Sequence, residues 1–170
     1  MTIKYIHTRV TDLILEHHTR DPYAIARALH IEILTTDLGS LRGMVQWVNG
    51  LMFIFLNRNM DAQMRLMVCA HELGHAFLHR EILDLMGGMH DNTVFDCRHG
   101  TEAEANAFAA DLLLSDRKVA GCLSQGFTAS QTAVALYTLP ELVACKIASM
   151  SARGYALVAP ETRADFLRSR

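Results

Sequence analysis

The chain has 170 residues, 51% hydrophobic and 20% charged, a globular composition that excludes a disordered or fibrous chain. Its formal net charge is −2, so no general basic field exists to hold nucleic acid or an anionic membrane surface. The longest apolar run, Leu51 to Leu56, falls far short of the ~20 residues that span a bilayer. The opening stretch scatters charges and histidines and lacks the apolar core of a secretory leader. Cys69, Cys97, Cys122 and Cys145 lie far apart with no CxxC pair. Together these features lead us to expect reduced thiols, a cytoplasmic setting and no membrane partner.

Ile3, Ile6, Val10, Leu13 and Ile14 recur at helical spacing over residues 3–17. Asp21-Pro22 then reads as the N-cap and first residue of a second, short helix. Residues 31–35 read as a strand. Asn49-Gly50 is a strong two-residue hairpin signal between the apolar segments 45–48 and 51–55, and it pairs Val48 with Leu51 and Trp47 with Met52. A long helix is expected from Asp61 to Leu85, stopped by Gly87-Gly88, with Leu66, Ala70, Leu73 and Phe77 as its buried stripe. After a polar loop holding His90 and His99, Thr101-x-x-Glu104 reads as a capping box opening an alanine-rich helix to Ser115. The remainder reads as helices over 116–124, 129–137 and 140–152, with a tail after Pro160. The turn Thr138-Leu139-Pro140 suggests a helix-turn-helix, but its second helix offers only Lys146 and Arg153 as cations. Packing or substrate docking is therefore expected there in place of DNA reading.

The chemistry concentrates on His71-Glu72-Leu73-Gly74-His75, an HExxH that composition alone would produce about 2% of the time. On a helix, histidines at i and i+4 stand one turn apart and ~40° around the axis, so both imidazoles can meet one ion. Glu72 lies ~100° away, beside that ion, placed to take a proton from the attacking water. A catalytic zinc needs a third protein ligand and an open fourth position. His79 continues the series, yet it lies ~12 Å along the axis from His71, so it cannot share the ion and is expected to support a ligand. The next helix offers Glu102 and Glu104. A capping role occupies Glu104, which favours Glu102, and Asn106 one turn later can hydrogen-bond a ligand histidine.

AHELGHAFLH followed by TEAEANAFAADLLL resembles the ImmA/IrrE family of zinc metallo-endopeptidases, and the likeness covers roughly residues 20–150. The resemblance implies that the first glutamate of the second motif, Glu102, is the third ligand. It also implies a protein substrate, a DNA-binding helix-turn-helix repressor of a phage or mobile element. Where members often have proline after the double leucine, this chain has Leu114-Ser115.

The expected fold class is thus α+β. A zincin-like metallopeptidase core over 1–117 would hold a short twisted β-sheet and an active-site helix, and a helical subdomain over 118–170 would dock substrate. In this reading His71, His75 and Glu102 hold Zn²⁺, Glu72 is the catalytic base, and Asn106 and His79 support the ligands. The rival reading is a zinc-containing binding module that captures a repressor or other partner without hydrolysis.

Overall fold

A computed structural model describes residues 1–85 and 100–157. His90 and His99, the Gly87-Gly88 stop and the tail after Pro160 lie outside the described residues. Helix α1 (Ile3–His17) starts under Thr2, whose side chain accepts from the Tyr5 N–H, and ends at His18 in the left-handed region, φ 51°. Helix α2 (Pro22–Ala28) follows under Asp21, which accepts from the Tyr23 N–H, with Pro22 in the first turn where its missing N–H costs nothing.

Strands β1 (Ile31–Thr36), β2 (Gly43–Val48) and β3 (Leu51–Asn57) form one sheet in the order β1-β3-β2. Strand β1 runs parallel and β2 antiparallel to β3, so β1 and β2 are the edges among the described residues. Asn49 and Gly50 both take positive φ, 50° and 80°, which a two-residue hairpin turn requires. The register has Val48 opposite Leu51 and Trp47 opposite Met52, as the turn dictates. At the end of β3 the buried Asn57 donates its amide to the Gly39 and Leu41 carbonyls at 3.0 and 2.7 Å. That side chain fastens the loop leading into Gly43.

Helix α3 (Ala62–Leu78) begins under Asp61, whose carboxylate accepts from the Met64 N–H at 2.7 Å. The expected single stripe is too narrow. Leu66 and Phe77 are only half-buried, whereas every residue from Met67 to Ala76 is buried. Along that length the helix is enclosed by β2, β3, α2 and helix α5 (Gly100–Leu113), so it has no solvent face. Nor does one helix run unbroken to Leu85. His79 leaves helical geometry at φ −115° and ψ 21°, and α4 (Arg80–Leu85) restarts after it. Apolar spacing continues across the break, so periodicity does not register it.

Another expectation fails at the start of α5. The capping box is not formed among the described residues: Thr101 Oγ1 is buried with no hydrogen-bond partner, and Glu104 turns toward His79 and the Met1 amino group. A tertiary partner has outcompeted the local one.

Helices α6 (Asp116–Ser124), α7 (Ala129–Ala135) and α8 (Pro140–Ala152) complete the described chain, with α7 and α8 bent by 110° across 136–139. Leu142, Val143, Ile147 and Met150 of α8 belong to the same buried cluster as Ile6, Val68 and Phe108. Lys146 and Arg153, the only cations this turn offered to DNA, are spent inside the protein. Lys146, 1% exposed, bonds Asp111 at 2.6 Å and Asp116 at 2.7 Å. Arg153 grips both Asp116 oxygens at 2.6 and 3.0 Å. Ser149 completes the cluster through the other Asp111 oxygen at 2.7 Å. Among the described residues no single helix is long and apolar enough to cross a membrane. Helices packed around one small mixed sheet make the fold α+β.

Candidate metal centre

The site is built where α3 and α5 come close. A Cβ on Gly74 would lie 3.1 Å from Ala105 Cα and 3.2 Å from both Ala105 O and Phe108 Cβ. Only glycine at that position, facing a ridge of small residues, lets the two backbones approach so nearly. The fully buried Ala105, Ala109 and Ala110 are part of that ridge.

This approach brings Glu102, on the first turn of α5, over the histidine face of α3. His71 Nε2 and His75 Nε2 are 3.1 Å apart. Glu102 Oε2 lies 3.4 Å from His71 Nε2, and its Oε1 lies 3.2 Å from His75 Nε2. A tetrahedral ion with bonds of ~2.0–2.1 Å separates its donors by ~3.3–3.4 Å. The two imidazole nitrogens, with one carboxylate oxygen toward each, stand close to the spacing such an ion needs, and His71, His75 and Glu102 form a group that could hold a metal. The histidines are buried, while the Glu102 side chain keeps 41% of its exposure. The group is thus open on one side, which suits a reacting site and not a closed structural one.

Each histidine uses its other nitrogen away from this point. His71 Nδ1 meets Asn106 Oδ1 at 2.9 Å, and His75 Nδ1 meets His79 Nδ1 at 3.1 Å. Glu104 stays out of the donor group and meets His79 Nε2 at 2.9 Å. Burial would raise the Glu102 pKa, but hydrogen bonds and charge from His71 and His75 outweigh it and hold the carboxyl well below its usual range. Burial likewise depresses His79, against the raising influence of Glu104.

Glu72 is 5% exposed and sits next to this group on α3. Burial pushes its pKa up to about 7, with His75 opposing and Glu102 adding to the rise. A carboxyl so placed can take and return a proton near neutral pH. Its cover is β2: a Cβ on Gly43 would lie 2.9 Å from Glu72 Oε1 and 2.6 Å from Val68 Cγ1. Sequence reading missed Gly43, because no local pattern marks a strand glycine that must clear a distant helix. It also gave Glu104 a local task where the structure gives it a tertiary one.

Two histidines and a carboxylate converging on one open point, with a buried glutamate alongside, are the groups that a metal-dependent hydrolase site requires. Residues 26–149 match the family Peptidase_M78, described as the IrrE N-terminal-like domain, and the chain belongs to this family. It is 32% identical over 167 aligned positions to Metallopeptidase ImmA of Bacillus subtilis (strain 168), covering 91% of this chain and 93% of that protein. It is also 33% identical over 141 positions to Uncharacterized immunity region protein 2 of Bacillus phage phi105, covering 79% and 87%. The chain is therefore a metallopeptidase, an enzyme that requires a metal ion.

Proposed function

We propose that the protein is a zinc-dependent endopeptidase that cuts a protein substrate at a specific site, in the cytoplasm. We infer that this substrate is a helix-turn-helix repressor of a phage or mobile element. The observation that supports the zinc assignment is the convergence of His71 Nε2 and His75 Nε2, 3.1 Å apart, on the Glu102 carboxylate, which sets one oxygen 3.4 Å from His71 and the other 3.2 Å from His75. Two nitrogens and one carboxylate oxygen make a donor set suited to zinc. When bound, the ion supplies Lewis acidity toward the scissile carbonyl and lowers the pKa of the attacking water toward ~7.

The rest falls to the chain. His71, His75 and Glu102 hold the ion, and Asn106 and His79 orient the two imidazoles. Glu72 takes the proton of the attacking water and passes it to the leaving amine. Strand β2 is a sheet edge beginning at Gly43, against Glu72. An extended substrate can add to that edge as a further strand, with its scissile carbonyl over the donor group. Substrate choice we assign to the helices after Ser115, which the metal group does not need. A regulatory protein substrate is supported by the family and by a relative named for a phage immunity region.

The test is mass spectrometry of a candidate repressor incubated with zinc-loaded protein. Discrete fragments are expected from the native enzyme and none from Glu72→Gln, which should still bind zinc. If the repressor is regulated undiminished by Glu72→Gln, capture without hydrolysis replaces this reading.

A further inference from the structure

Beneath the donor group runs a line of polar side chains that the reaction itself does not use. His75 Nδ1 lies 3.1 Å from His79 Nδ1, and His79 Nε2 lies 2.9 Å from Glu104 Oε2. His79 is 5% exposed, and the His75 and His79 rings stand 5.3 Å apart between centroids. All three residues come from positions that pack α5 against the end of α3, where the helix breaks at His79.

Hydrogen positions follow from the geometry once one end is set. A histidine that meets a cation through Nε2 keeps its proton on Nδ1. His75 Nδ1–H then donates, so His79 Nδ1 must accept with a lone pair. His79 is consequently neutral with its proton on Nε2, and that N–H donates to the Glu104 carboxylate. Each contact then has one donor and one acceptor.

Resting on the zinc reading above, we infer that Glu104 is a positioning residue that acts through His79 to fix the tautomer and direction of His75. His71 is held differently, by the neutral amide oxygen of Asn106 at 2.9 Å. Of the two ligand imidazoles, the one backed by a carboxylate is polarised more strongly, and removing such an outer partner weakens metal binding ~10–100-fold. The interruption of α3 at His79 has a role on this account. It swings the third histidine of the series out of the ligand row and under the second.

Two measurements on the whole protein test this. In the zinc-loaded wild type, long-range ¹H–¹⁵N spectra should show His75 protonated on Nδ1 and His79 protonated on Nε2 alone. Zinc dissociation constants from chelator competition should then form a double-mutant cycle. Glu104→Gln, near-isosteric, should weaken binding ~10-fold and His79→Ala at least as much. Glu104→Gln should add nothing in the His79→Ala background, because a carboxylate acting through a missing imidazole has nothing to act on. A His79 proton on Nδ1, or a Glu104→Gln loss that persists at full size without His79, overturns the relay while leaving the zinc reading standing. A wild type whose zinc binding is indifferent to His75→Ala overturns both. The wild-type spectrum decides the tautomers even if a variant fails to fold.

Discussion

Replacing Gly43 with alanine adds one methyl group at the first residue of β2, and the structure shows where it lands. The new Cβ would stand 2.6 Å from Val68 Cγ1 and 2.9 Å from Glu72 Oε1. Carbon–carbon contacts are comfortable at ~3.5–4.0 Å, so the first falls short by about 1 Å. Val68 is fully buried on the all-buried stretch of α3, and close-packed interiors resist such a displacement. Overpacking of this kind costs about 1–3 kcal/mol, and at ~2–4 °C per kcal/mol for a domain of this size thermal unfolding should drop by several degrees. The carboxylate gives way more easily than the valine, so Glu72 should swing aside. A misplacement of ~1 Å at a reacting group costs about 10²-fold in rate. His71, His75 and Glu102 are untouched, so elemental analysis should still find zinc. The expected phenotype is a folded, zinc-loaded, nearly inactive protein, read by repressor-cleavage kinetics beside a melting curve. Gly43→Ala combined with Val68→Ala should recover stability without recovering rate, because the Glu72 contact remains. Wild-type cleavage by Gly43→Ala at an unchanged melting temperature would refute the placement of β2 over the base.

The metal group itself predicts that His75→Ala loses most of the bound zinc and that Glu102→Ala lowers zinc affinity sharply, both measured by chelator competition. Lys146→Met should destabilise the fold by about 3–5 kcal/mol in chemical denaturation, because Asp111 and Asp116 lose the ammonium between them. Zinc affinity should stay as in the wild type. Glu72 makes the metal-free protein lose stability as pH rises from about 4.5 to about 7. In that window the unfolded chain has released the proton that burial makes the folded carboxyl retain, so deprotonation favours unfolding. Metal-free Glu72→Gln should show a flatter pH profile of melting temperature over that range.

How much was legible follows from the range of each interaction. The cap at Asp21, the Asn49-Gly50 turn and its strand register are set by residues a few positions apart, and the chain alone determines them. The facing of His71 and His75 is equally local, since helical geometry by itself puts i and i+4 on one side. Tertiary contact decided the rest. Glu102 and Glu104 share the first turns of one helix; local reasoning ranked them by a cap that does not form, and it was the motif's resemblance to a family that singled out Glu102 independently. Which one reaches the histidines depends on how α5 is rotated against α3, and that rotation is set by the contact of Gly74 with Ala105 and Phe108. Gly43 matters because of a helix more than twenty residues away, and Lys146 is buried because Asp111 and Asp116 from other helices compensate its charge. Backbone propensity and periodicity encode neighbours along the chain. Burial, ion pairing and interhelical clearance arise only when distant segments occupy the same space.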